Sequence, residues 1–453
     1  MFSRSLERPR WLPYVAVWGF CAALLVRGVA GAQEKPSAGS TLDTGKVPQS
    51  LTAGEAAAIS PAQAYLEAIR PVEITKRSIT NWSPVEQAAL ALAIKRGTEA
   101  CAARPVSGAS GAALVDLGRL CALGLMWQES AAASEAYLHG EESPKKRAAE
   151  AYALLIDAQL HLKDEPGAVK SARSMEDSLP YSNAVGEATG EVIDYAQLLF
   201  PADALLLAEG REAAILNLLQ GSSGQKILWG ENNKGAEVPD RRDLYREGLR
   251  LAELQQLMGK EDAAREARAV LDAVVPSSLS ADDAAAIVGM RVRYSRLGKR
   301  LEEVPVMAWE GKPNHALDLK AHPSITALLL FPDWCIQCVR LAQQMPRGLF
   351  NVLGHEAYAY GLVVPSGTGE NVAVSKDLAD TASFAVTPSI LNDFNATDVP
   401  LLIMLDKDHM VRLITVADES AFVPGSTVDS AVGLLGKLSL KPSIKQFKSG
   451  IYR

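Results

Sequence analysis

The run Ile325–Phe331 (ITALLLF) is apolar almost throughout and uncharged, and it leads through Pro332 and Asp333 into Trp334-Cys335-Ile336-Gln337-Cys338. A run of this kind suits a strand buried on both faces, which needs layers above and below it and neighbouring strands beside it. The residues that follow match that demand. Cys338 to Leu349 reads as a helix, kinked or ended near Pro346. Ala357 to Val364 (AYAYGLVV) reads as a second buried strand, and Pro400 to Leu405 (PLLIML) as a third. Asp406-Lys407-Asp408-His409 is a hairpin turn, Met410 to Val416 returns as a fourth strand, and Ser426 to Leu438 closes as an amphipathic helix. Residues 366–397 form a polar excursion with one or two helical pieces. Together with Val304 to Trp309, these segments predict a mixed α/β domain over residues 301–453.

The preceding 240 residues have a different texture. Residues 61–300 are rich in Ala, Leu, Glu, Arg and Gln and poor in β-branched runs, which predicts an all-α domain. Ser83-Pro84-Val85-Glu86 has the form of a helix start. Tyr152–Pro180 and Gly248–Pro276 agree at an offset of 96 residues, at Leu155/Leu251, Gln159/Gln255, Ala168/Ala264 and Pro180/Pro276. The second copy has a turn at Met258-Gly259-Lys260. The first has Pro166-Gly167 nearby but at another position. The pattern faintly resembles the tetratricopeptide helical hairpin. Two readings stand: a short solenoid that binds a protein partner, and a plain helical domain.

The N-terminus is read as an export signal. Arg4, Arg8 and Arg10 precede the apolar stretch Trp11–Val26, and Ala30-Gly31-Ala32 fits a cleavage site. That stretch has 16 residues and contains Pro13, short of the roughly 20 that span a bilayer. Cleavage leaves a soluble periplasmic or secreted protein without a stable membrane span; an uncleaved anchor is the alternative. Residues 33–60 read as a flexible linker. Loss of residues 1–32 takes the charge from −7 to −10, and an acidic balance disfavours nucleic-acid binding. It also removes Cys21 and leaves Cys101, Cys121, Cys335 and Cys338.

Two cysteines at i and i+3 at the start of a helix have a chemical rationale. The first sulfur lies beside unpaired N–H groups and the positive end of the helix dipole, which favour thiolate. It can attack a disulfide, and the second cysteine can resolve the mixed disulfide. A zinc half-site would need two further ligands, and no His shows a paired spacing with this motif. A structural disulfide is the remaining alternative. Metal is not expected, and no cofactor is required.

With Trp334 before the pair and Asp398-Val399-Pro400-Leu401 leading into a strand, residues 304–440 resemble the thioredoxin-fold family, in particular its extracytoplasmic thiol–disulfide oxidoreductases. The resemblance implies Cys335 as nucleophile, Cys338 as resolving residue and a cis-proline at Pro400 facing them. It also implies substrate contact through Trp334, Val399 and Pro400. Thr387-Pro388 is a weaker cis-proline candidate, because no comparable apolar run follows it. Substrates would be protein disulfides or thiols. Many members carry a buried acid six residues before the first cysteine; here that position is Leu329. The Ile336-Gln337 dipeptide lacks the Pro or His that tunes other members, and Asp333 opposes the thiolate, so a strong oxidant is not expected.

Cys101 and Cys121 form a possible structural disulfide. If Arg104–Gly111 is a simple hairpin turn, the two are offset by about 10 Å along the helices, beyond bridging reach. Gly367 and Gly369 are a weak phosphate-loop signal. Asp406 and Asp408 read as turn residues, and Arg340 and Arg347 as a solvated helix face. The chain is therefore expected to be multidomain: an N-terminal all-α helical-hairpin domain, of solenoid type in one reading, and a C-terminal α/β thioredoxin-like domain. Its expected role is an exported thiol–disulfide oxidoreductase, with an envelope scaffold or binding protein as the alternative.

Overall fold

A computed structural model describes residues 59–76, 82–140, 146–220, 241–275, 279–307, 316–321, 324–354, 357–365, 382–396, 399–417, 421 and 427–439. The export signal, the linker up to residue 58, Asp398, Gly367, Gly369 and most of the excursion after 365 lie outside the described residues. The chain is mostly helical with a C-terminal mixed sheet. Its described part divides into two compact units, one of residues 59–180 and 184–192, the other of 181–183 and 193–439.

The first unit comprises helices α1 (Pro61–Thr75), α2 (Pro84–Ala102), α3 (Ala112–Leu123), α4 (Trp127–His139), α5 (Ala148–His161) and α6 (Glu165–Ser178). Ser83 caps α2: Glu86 N donates to Ser83 Oγ at 3.3 Å, and Ser83 N donates back to Glu86 Oε2 at 2.8 Å. Cys101 and Cys121 are bridged, with Cα atoms 5.1 Å apart and side chains buried. This corrects the 10 Å offset expected from a simple hairpin. Residues 103–111, with a 3-10 turn at Val106–Gly108, run back along α3. Nine residues can reach about 30 Å, against about 18 Å for the twelve-residue helix. The C-terminal ends of α2 and α3 therefore meet. They approach so closely that a Cβ on Gly124 would lie 2.5 Å from Thr98 N, and Thr98 Oγ1 donates to Gly124 O at 2.8 Å.

The internal similarity reappears as matching helix ends. α5 and α6 run 148–161 and 165–178, while α9 (Arg241–Leu257) and α10 (Glu261–Ala273) share their junction at the offset of 96. Both turns close with the same bond: Asp164 N to Gln159 O and Lys260 N to Gln255 O, each 2.8 Å. The first turn is at Leu162-Lys163-Asp164, not at Pro166-Gly167, which open α6 behind the cap Asp164. Lys163 holds φ +60 where the second copy has Gly259 at +71. A lysine in a conformation that favours glycine concealed the match. Ala168 and Ala264 are both buried on the second helix of their hairpins, as a close helix approach requires.

Helix α7 (Asn183–Leu199) runs across the division between the units. The second unit contains α8 (Pro201–Leu219), α9, α10, α11 (Ala281–Ser295) and the sheets. Arg250 on α9 is largely buried and donates to Asp194 at 2.5 Å, Gln197 at 3.0 Å and Glu253 at 3.1 Å. Burial alone would lower its pKa, but the carboxylates outweigh that and raise it. Arg211 on α8 is held likewise by Glu247.

A five-stranded sheet has the order β5-β4-β3-β6-β7, built from β3 (Ile325–Pro332), β4 (Ala357–Val364), β5 (Ser383–Ala385), β6 (Leu401–Leu405) and β7 (Val411–Val416). Strands β3, β4 and β5 are parallel; β6 is antiparallel to β3, and β7 to β6. A separate ribbon pairs β1 (Glu303–Pro305) with β2 (Ala316–Asp318). All eight residues of β3 are buried. Ala327, Leu329 and Phe331 pack with residues of α12 (Ile336–Leu353) and α14 (Thr427–Ser439) in one apolar cluster. Pro346 lies inside α12 and does not end it. An interior proline costs about 3 kcal/mol, and the turns beyond it bury Leu349 and Leu353, worth about 1.5–3 kcal/mol each. Helix α13 (Ser389–Asp393) precedes β6. In the β6–β7 hairpin, Asp406 Oδ1 accepts from Asp408 N at 2.9 Å and Met410 N at 3.0 Å, as a turn residue does. Its other oxygen accepts from Arg412 Nε at 2.6 Å, and Arg412 also reaches Glu261 at 2.9 Å.

Two outcomes are expected. Replacing Cys101 and Cys121 together by Ala should cost about 3 kcal/mol in urea unfolding, the loop-closure value for a separation of 20. Glu212 on α8 is buried, and desolvation, followed by repulsion from Glu209, raises its pKa to about 7. The fold therefore favours its protonated form, and stability falls as pH rises from about 4.5 to about 7. Glu212→Gln should leave stability unchanged below pH 4.5 and raise it by about 1 kcal/mol at pH 8, allowing for water that reaches the carboxyl. Denaturant melts at the two pH values check this.

Candidate functional site

The site forms where β3 leaves the sheet core. Pro332 is the last residue paired with β4, opposite Val364. Asp333 N then donates to Val364 O at 3.0 Å, and Cys335 N to Pro332 O at 3.1 Å. The chain turns there because Cys335 becomes the N-cap of the 18-residue helix α12. Parallel strands need a crossover connection between them, and α12 supplies it from β3 to β4.

The two sulfurs are close together and bridged, with Cα atoms 5.3 Å apart. Their surroundings differ. Cys335 is half-buried, and its Sγ accepts the Cys338 backbone N–H at 3.3 Å. Cys338 is fully buried, enclosed in the apolar cluster with Leu329, Val339 and Ala342. On reduction, the N–H bond and the helix dipole favour negative charge on Cys335. Cys338 is enclosed in the apolar cluster, where burial disfavours a charge. Trp334 and Ile336 beside Cys335 are 66% and 70% exposed, so the approach to the outer sulfur is lined by two apolar side chains.

The Val399–Pro400 bond is cis, and it is the one cis bond among the described residues. Thr387-Pro388, the weaker candidate, instead precedes α13. The last β3–β6 pair is Leu330 with Leu401, so Pro400 follows at the end of β3 that leads to Cys335. Both residues are partly buried, and Pro400 O accepts from Ala417 N at 2.9 Å. The sheet register thus brings Trp334, Cys335, Cys338, Val399 and Pro400 to one end of one sheet. Cys101 and Cys121 belong to the other unit. Arg340 and Arg347 are exposed on α12.

One feature escaped the sequence reading. Asp333, assigned there only an opposing charge, is 8% exposed. Nothing in the local pattern signals that burial, because the residue lies beyond the apolar run and next to an exposed Trp. Among the described residues, no group of three or more His, Cys, Asp or Glu is arranged to hold a metal ion. None of their helices is long and apolar enough to cross a membrane.

No family model matches the chain, and no curated protein matches it. Among solved structures, the chain is similar to the thioredoxin domain of a thiol-disulfide oxidoreductase from Bacteroides vulgatus. The identity is 12%, covering 32% of this chain and 97% of that chain, with a TM-score of 0.23.

The difference in burial predicts a difference in alkylation. In the reduced protein, iodoacetamide should modify Cys335 at least about tenfold faster than Cys338, as a reachable thiol at a helix N-terminus outpaces a fully buried one. Mass spectrometry of peptides after brief labelling checks this.

Proposed function

We propose that this chain is a thiol–disulfide oxidoreductase whose C-terminal sheet is a thioredoxin-like domain. The observation that carries the reading is the asymmetry of the pair: a reachable sulfur at a helix N-terminus and a buried one a turn further in. The Cys335 thiolate attacks a substrate disulfide and forms a mixed disulfide. Cys338 then attacks Cys335, the bond between them forms, and the substrate leaves as a thiol. The sulfurs carry the electrons, so the exchange requires no cofactor. The exposed ring of Trp334 and the backbone at Val399–Pro400 suit an extended polypeptide, which makes protein disulfides the substrate class. Residues 1–32 act as an export signal in this reading, and the protein works outside the cytoplasm, where disulfides persist.

A second reading has one observation in its favour. Leu329 is fully buried where an acid would assist proton transfer, which suits a scaffold whose helical hairpins bind a partner and whose cysteine pair is inert. A redox titration separates the two readings. A potential far below about −300 mV marks a structural bridge.

The direct test is trapping. Cys338→Ser should accumulate disulfide-linked partners through Cys335, and Cys335→Ser should not. If Cys338→Ser captures nothing where a control thioredoxin does, the oxidoreductase reading fails.

A further inference from the structure

The sheet fixes Pro400 on its C-terminal side, through the Leu330–Leu401 pair and the bond from Ala417 N to Pro400 O. The chain before Pro400 is held by another element. Helix α13 has five residues, too few for a helix to be stable alone. Asn395 beyond it holds φ +44, a conformation uncommon outside glycine. Both are gripped by the C-terminal end of α11 and its cap residue Arg296. Arg296 Nε donates to Asp393 O at 2.8 Å, and its Nη2 donates to Asp393 Oδ1 at 2.8 Å. Arg293 Nη2 donates to Asn395 O at 3.2 Å. The Arg296 guanidinium also lies 5.9 Å from the centre of the buried Phe394 ring. One turn earlier, α11 comes so close that a Cβ on Gly289 would lie 2.2 Å from Asn395 Nδ2. The exit of α11 is tied to the β6–β7 hairpin as well: Gly298 N donates to Val411 O at 2.8 Å, and Leu301 N to His409 O at 2.9 Å.

We propose that α11 positions the Val399–Pro400 segment for a polypeptide substrate, with Arg293 and Arg296 as the positioning residues. The proposal rests on the oxidoreductase reading, in which the substrate chain lies along that segment beside Cys335. Asn395 is four residues before Val399, a stretch of at most about 14 Å. A shift at Asn395 is therefore taken up in the few residues that end at Val399, because Pro400 is fixed to the sheet. The Arg296–Asp393 pair is partly exposed, at 39% and 55%, so its charge alone contributes little. The bonds from the two arginines to the backbone oxygens of Asp393 and Asn395 do the holding. A small disulfide needs the Cys335 sulfur and no backbone beside it, and α12 places that sulfur. The arginines therefore act on polypeptide substrates and leave the intrinsic reactivity of the pair alone. This gives the last helix of the region 61–300 a part in the redox site.

The test compares two disulfides on the full-length chain: a synthetic peptide dimer joined by one disulfide, and dithiobis(nitrobenzoate). The Cys335–Cys338 dithiol passes two electrons to the peptide disulfide, giving two peptide thiols, and dithiothreitol restores the dithiol. In the double variant Arg293→Ala, Arg296→Ala, KM for the peptide should rise about tenfold while kcat stays within about twofold of wild type. A tenfold change is about 1.4 kcal/mol, the order of one hydrogen bond to a charged group. Release of the first thionitrobenzoate by the reduced chain, without dithiothreitol, should keep its wild-type rate. An unchanged KM for the peptide overturns the proposal. A loss by one factor with both disulfides also overturns it, because that marks a loosened domain and not a displaced substrate segment. If the double variant does not fold, Gly289→Ala, which displaces the Asn395 side chain and keeps both arginines, is read by the same criteria. A wild type that attacks dithiobis(nitrobenzoate) and not the peptide overturns the proposal too, since no polypeptide is then held. If the wild type passes electrons to neither, the oxidoreductase reading itself has failed.

Discussion

Complete burial of β3 is the constraint on which the site depends. A strand with no exposed residue needs partners on both edges, which β4 and β6 provide, and a helical layer on its faces, which α12 and α14 supply on one. The chain can leave that core only at the strand's end. There it meets α12, whose first turn presents unpaired N–H groups. The cysteine pair straddles this exit, so that one sulfur is reachable and the other is part of the core. The contrast in reactivity follows from position and needs no charged residue beside the pair.

Charge has a different role among the helices of the second unit. Arg250 and Arg412 are each largely buried and each held by carboxylates from elsewhere in the sequence: Asp194 for the first, Glu261 and Asp406 for the second. Buried ion pairs contribute little net stability, but removing one partner strands the other, at a cost of about 3–5 kcal/mol. Such pairs penalise misregistered packing of helices that are otherwise smooth with Ala and Leu. Arg412 ties the turn between β6 and β7 to the start of α10, so the strand beside the Val399–Pro400 segment is anchored to the helical hairpin of its own unit.

The legible parts of the fold were those in which one segment carries its own signal. Strands 325–331 and 357–364 announced themselves by continuous apolar runs, the hairpin by Asp406-Lys407-Asp408-His409, and α2 by its capping sequence. The helix at Cys338 was legible in kind but not in length. Whether Pro346 ends it depends on what the next two turns bury, and that burial is contributed by other segments. The turn at Lys163 was hidden because a non-glycine residue occupies a positive φ there, held by the hairpin around it.

The sequence by itself determined the chemistry available: a helical region, a buried strand running into a Cys-x-x-Cys helix, and four cysteines beyond the N-terminal segment. Periodicity, capping and helix-end electrostatics act within a few residues, so they can be read locally. Tertiary structure alone decided which distant residues meet. It joined the ends of α2 and α3 so that Cys101 reaches Cys121, brought the cis Val399–Pro400 bond to the sheet end where Cys335 emerges, and buried Asp333. Each of these depends on contacts between segments separated by tens of residues, whose geometry is set by packing and not by spacing along the chain.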